Sequence, residues 1–79
     1  MRIEVFGSGC AKCKRLEKNV NKAVFETGIE AQVVKVQDIQ EIIDRGVMIT
    51  PALFIDGEPK AMGRVPSIDE ITEMLRELR

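Results

Sequence analysis

Histidine, tryptophan and tyrosine are missing from this 79-residue sequence, and cysteine occurs only twice. Without histidine there is no imidazole general base and no His-ligated zinc site. Without tryptophan or tyrosine, few side chains remain on which nucleic-acid bases can stack. An excess charge of one sign is missing too. The 12 Lys and Arg residues nearly cancel the 13 Asp and Glu residues, which argues against a nucleic-acid binder. No apolar run approaches the length of a membrane span. The start Met1-Arg2-Ile3-Glu4-Val5-Phe6 is too short and too charged for a signal peptide. Low-complexity tracts and internal repeats are absent. With 44% apolar and 32% charged residues, the composition is that of one globular domain over residues 1–79. The expected compartment is the cytoplasm, with no membrane or nucleic-acid partner. A structural disulfide is unusual there, so two closely spaced cysteines point to catalysis or metal binding.

Those two cysteines form the most informative motif, Cys10-Ala11-Lys12-Cys13, set between an apolar run and a helical pattern. A thiol at a helix start faces the positive end of the helix dipole and free backbone N–H groups, and both favour thiolate. A cysteine three residues on lies one turn away on the same face, close enough to close a disulfide. Cys10 is the expected nucleophile. Cys13, deeper on the apolar stripe, is the expected resolving thiol. Lys12, Lys14 and Arg15 either solvate a helix face or modestly lower the Cys10 pKa.

Around the motif the pattern is strand, helix, strand, helix, strand, strand, helix. Arg2 to Phe6 is a β-rich run ended by Gly7-Ser8-Gly9. Leu16, Val20, Ala23 and Val24 recur at helical spacing between about Ala11 and Thr27, with Gly28 as the stop. Glu30 to Val36 reads as a second strand. Asp38 with Glu41 has capping-box spacing before a short helix whose apolar face is Ile39, Ile42 and Ile43. Ala52 to Ile55 is a third strand, Asp56-Gly57 a hairpin turn, and Pro59 to Met62 a fourth strand, placed by its proline at a sheet edge. Ser67 with Glu70 caps a last helix carrying Ile68, Ile71, Met74, Leu75 and Leu78. The first crossover implies a parallel strand pair, and the hairpin an antiparallel one. The result is an α/β fold, βαβαββα, with a mixed four-stranded sheet and three helices.

These residues resemble the thioredoxin-like superfamily, and within it the small redox-active disulfide proteins, minimal thioredoxins of glutaredoxin size. The resemblance rests on Gly7-Ser8-Gly9-Cys10-Ala11-Lys12-Cys13, on Ile49-Thr50-Pro51-Ala52-Leu53 and on Gly63-Arg64-Val65-Pro66-Ser67, and it spans essentially the whole chain. It implies a sheet with the second strand at one edge, then the first, third and fourth. It also implies a first helix on the face opposite the second, with the third beside the first. Pro51 would be a cis proline against the disulfide, and the Thr50 backbone would pair with an extended substrate peptide. Glu4 stands six residues before Cys10, where large thioredoxins bury an acid. Its two readings are a proton acceptor for the second thiol and, more plainly, an exposed strand residue. Gly9 replaces the tryptophan of large thioredoxins. Ala11-Lys12 matches neither their Gly-Pro nor the Pro-Tyr of glutaredoxins, so the reduction potential is not inherited within the range of about −120 to about −270 mV.

The expected function is a thiol–disulfide oxidoreductase using the Cys10–Cys13 pair, a monomer with no cofactor beyond its redox-active disulfide. Disulfide-bearing proteins would be its substrates, and a thioredoxin-reductase-type donor, fed by NADPH or ferredoxin, would restore it. The rival class is a soft-metal module holding Cu(I) between the two thiolates. Such modules run strand, helix, strand, strand, helix, strand, which this pattern does not match. Gly63 is either punctuation or a place where a partner's backbone approaches closely, and Arg64 is a solvated cation or one that steers an acidic partner. Met48 stands near the expected groove, and Met74 belongs to the core.

Overall fold

In the computed structural model, which describes residues 1–78, the strands are β1 (Arg2–Phe6), β2 (Gln32–Val36), β3 (Ala52–Ile55) and β4 (Glu58–Met62), and the helices are α1 (Ala11–Thr27), α2 (Ile39–Asp44) and α3 (Ile68–Leu78). The sheet order is β2-β1-β3-β4. β1 runs parallel to β2 and antiparallel to β3, and β3 runs antiparallel to β4. β4 is an edge strand, where the missing N–H of Pro59 costs no central ladder bond. The register skips Lys60, because Leu53 faces Ala61 while Phe54 faces Pro59. Asp56 and Gly57 both adopt positive φ, 51° and 84°, the geometry of a tight two-residue hairpin.

Alternation along the strands divides the core between the two sheet faces. Ile3, Val5, Leu53 and Ile55 meet Leu16, Val20 and Ala23 of α1 and Ile71 and Leu75 of α3. On the other face Phe6, Val36, Ala52 and Phe54 gather around Ile42 of α2 and Val47. There Phe6 and Phe54 lie 4.8 Å apart between ring centroids. α1 ends where Gly28 takes a left-handed conformation and donates its N–H to the Val24 carbonyl. α3 starts at Ser67, whose hydroxyl accepts from the Glu70 N–H at 3.1 Å. Asn19 of α1 donates to the Pro66 carbonyl at 3.0 Å and ties the two helices together at that end.

Three sequence expectations are corrected. β2 begins at Gln32 rather than Glu30. On α2 only Ile42 is buried; Ile39 and Ile43 are exposed, because this short helix has no second helix beside it and meets the sheet along one line. Glu4 is not an exposed strand residue. It is 2% exposed, since it sits on a central strand and shares the α2 face with Phe6.

Candidate active site at Cys10 and Cys13

The chain leaves β1 at Gly7, whose N–H donates to the Val36 carbonyl at 3.0 Å. It then turns through Gly9, at φ 93°, into the N-terminus of α1. Cys10 is the N-cap itself, extended at ψ 170°, and its Sγ accepts from the Cys13 N–H at 3.4 Å. Cys10 is exposed and Cys13 is buried, 5% exposed, on the stripe that continues through Leu16 and Val20. Both are free thiols, with their sulfurs 2.7 Å apart. A side chain at position 7 would overlap the Cys13 sulfur and come within 2.9 Å of its Cβ. Gly7 therefore lets the second thiol tuck beneath the end of β1.

Environment separates the two thiols. Cys10 is held below the ordinary thiol value of 9.0, first by the Cys13 thiol bonded to its sulfur and then by the Cys13 N–H, with smaller help from the Lys12 and Cys10 N–H groups. Cys13 is pushed above that value, first by burial and then by its bond to Cys10. Negative charge therefore favours the exposed sulfur, and the buried one keeps its proton. The causes are the neighbouring thiol and the helix-start amides. The ammonium groups of Lys12 and Lys14 are not among them.

The other sequence candidates fall in different places. The Glu4 carboxylate receives both guanidinium nitrogens of Arg45, each at 2.8 Å, and Arg2 Nε lies 3.7 Å away. These charges, led by the Arg45 bond, hold it below the ordinary carboxylate value of 4.5. Glu4 is on the α2 face of the sheet, whereas α1 and Cys13 are on the opposite face. A carboxylate so placed and so paired is a poor proton acceptor for Cys13. Pro51 is buried, its bond to Thr50 is cis, and its carbonyl accepts from the Gly63 N–H at 2.8 Å. Gly63 stands at φ 75°, and a Cβ there would come within 2.7 Å of Ile49 Cγ2, so a left-handed backbone and a neighbouring side chain of this chain both call for glycine. Thr50, Met48 and Ile49 are exposed. Arg64 pairs with Glu70 through both guanidinium nitrogens, at 3.1 and 2.7 Å.

Beside Cys13 a cleft of about 260 Å³ opens between the start of α1 and the ends of β1 and β2, lined among others by Gly7, Gly9, Glu17, Lys35 and Gln37. Glu17 and Lys35 pair across it at 3.1 Å. Sequence reasoning placed Gly7 in the turn before Cys10 but missed Glu17, Lys35 and Arg45 as site or near-site residues. Only Glu17 carried a local signal, standing one helical turn after Cys13.

Among the described residues, no group of three or more Cys, Asp or Glu side chains is placed to hold a metal ion. Among the same described residues, no helix is long and apolar enough to cross a membrane. Residues 1–76 match the family described as Thioredoxin domain. A thioredoxin of Methanothermobacter thermautotrophicus is 45% identical over 75 residues, covering 95% of this chain and 97% of the relative. A thioredoxin of Methanocaldococcus jannaschii is 45% identical over 74 residues, covering 94% and 85%. With the β2-β1-β3-β4 sheet, the three helices and the close cysteine pair, the chain belongs to the thioredoxin family and is a thiol–disulfide oxidoreductase.

Proposed function

We propose that the chain reduces disulfides in partner proteins, with Cys10 as attacking thiol and Cys13 as resolving thiol. One observation carries this assignment: two sulfurs 2.7 Å apart, one exposed at a helix cap and the other buried. The Cys10 thiolate attacks a substrate sulfur, and the substrate S–S bond breaks. One substrate sulfur leaves as thiolate, and a mixed disulfide joins Cys10 to the other. Cys13, losing its proton, attacks Cys10 Sγ. A Cys10–Cys13 disulfide forms, and the second substrate sulfur departs with the electron pair. The substrate gains two electrons and this chain gives up two.

The Thr50 backbone and the exposed Met48 and Ile49 side chains form the surface on which an extended substrate peptide docks, beside Pro51. No organic cofactor takes part. A thioredoxin-reductase-type donor restores the dithiol, and the chain acts in electron transport as a cytoplasmic monomer. Glu4 has a structural part only.

Insulin reduction driven by dithiothreitol tests the reading. The native chain is expected to accelerate precipitation of the insulin B chain, and both Cys10→Ser and Cys13→Ser to abolish turnover. Cys10→Ser must also lose mixed-disulfide formation, whereas Cys13→Ser accumulates it. An inert native chain that binds Cu(I) stoichiometrically would reverse the conclusion in favour of the soft-metal class.

A further inference from the structure

The exchange needs a destination for the Cys13 proton. Burial holds that thiol protonated. Once Cys10 is tied up in a mixed disulfide, its sulfur carries no charge to take the proton. Glu4 is across the sheet and locked to Arg45. On the Cys13 side, the cleft offers a different carboxylate. Glu17 follows Cys13 by four residues on α1, so the two side chains project from the same helical face. Both line the cleft, as does Lys35, whose Nζ lies 3.1 Å from Glu17 Oε2. The charged groups that line the cleft with Cys13 are Lys14 and Glu17 from α1 and Lys35 from β2, while β1 contributes only Val5. Glu17 is the one carboxylate among them. At about 260 Å³ the cleft has room for several waters at about 30 Å³ each.

We propose that the Glu17 carboxylate accepts the Cys13 proton through water in this cleft as Cys13 attacks the mixed disulfide, with Lys35 paired to that carboxylate at the cleft wall. This rests on the assignment of Cys13 as resolving thiol. The Cys13 S–H bond breaks, and its proton passes to a Glu17 oxygen. The sulfur lone pair forms the Cys10–Cys13 bond. The substrate thiolate leaves with the electron pair of the broken mixed disulfide and is the final recipient of a proton, from Glu17 or solvent. No oxidant beyond the substrate disulfide is needed. The Glu17–Lys35 pair is thus more than a tie between α1 and β2.

Stopped-flow reaction of the reduced full chain with dithiobis(nitrobenzoate) separates the steps, since attack by Cys10 releases one thionitrobenzoate and attack by Cys13 the second. In the native chain the second phase is expected to be nearly flat from about pH 5.5 to about pH 8, because a carboxylate in the cleft rather than bulk solvent takes the proton. Glu17→Gln should leave the first phase unchanged. It should slow the second about tenfold near pH 6.5 and steepen its slope toward tenfold per pH unit, as for a thiol that must ionise into solvent. Glu17→Asp should partly restore the flat profile. Lys35→Gln, which breaks the tie but keeps the carboxylate, should keep it flat. A second phase in Glu17→Gln with native rate and slope would overturn the proposal, and so would a Lys35→Gln profile as steep as that of Glu17→Gln. A native chain with no Cys13-dependent second phase would instead overturn the assignment of Cys13 itself, a result distinct from the other two.

Discussion

Arg45 and Glu4, 41 residues apart in sequence, meet through two parallel bonds of 2.8 Å on the α2 face of the sheet. The Arg45 guanidinium also lies 5.2 Å from the centre of the Phe6 ring, so the cation is held by a carboxylate and an aromatic face together. A buried carboxylate on a central strand is tolerated only because this partner reaches it.

Arg45→Met therefore leaves Glu4 buried without its main partner. The expected loss is about 2 kcal/mol, below the 3–5 kcal/mol typical of a wholly buried pair because Arg45 itself reaches solvent. The double variant Glu4→Leu/Arg45→Met should recover most of that loss. Urea unfolding midpoints of the two single variants and the double variant read the coupling directly.

The same pair sets an acid limit on stability. Glu4 titrates below its ordinary value of 4.5 when folded, so its contribution is present above that value and is lost as pH falls through the lower, folded one. Stability should hold between neutral pH and about pH 5 and then fall. Glu4→Gln should start lower and decline less steeply with acid. Glu70, also held low by Arg64, is exposed and should add little. Thermal melts across the acid range compare the slopes.

Cys10 reactivity depends on Cys13 more than on nearby lysines. Cys13→Ala removes the thiol bond and should raise the pH at which Cys10 is half-alkylated by iodoacetamide, toward the ordinary value of 9.0. Lys12→Gln and Lys14→Gln should shift that midpoint much less, since exposed charges are screened. A larger shift from either lysine variant than from Cys13→Ala would contradict this ordering.

Gly7→Ala places a methyl group where the Cys13 sulfur lies. Its expected costs are about 1–3 kcal/mol of stability and slower closure of the Cys10–Cys13 disulfide, with Cys10 alkylation little changed. Gly63→Ala meets Ile49 and a left-handed backbone, and should cost about 1–2 kcal/mol. Denaturant melts and timed oxidation with a small disulfide separate the stability and closure effects.

Much of the fold was legible because its signals are local. Hydrophobic spacing marked α1 and α3, Asp56-Gly57 marked the hairpin, and Pro59 placed β4 at an edge. The cap residues Ser67 and Gly28 fixed helix ends within a residue. α2 was read less well. Three isoleucines promise one apolar face, but how much of that face is covered depends on what packs beside the helix, and a six-residue helix alone on its side of the sheet covers only Ile42.

By itself the sequence determined that two thiols share one turn at the start of a helix that follows a strand, because that relation needs only local geometry. Tertiary structure alone decided which acidic groups reach which side of the sheet. Glu4 has the spacing of a proton acceptor, yet strand alternation turns it to the α2 face, where Arg45 engages both its oxygens. Glu17 has no such pedigree, yet the helical repeat and the closeness of β2 bring it and Lys35 into the cleft beside Cys13. Direction on a strand is set residue by residue, but which neighbour waits on that side is set by how the layers pack.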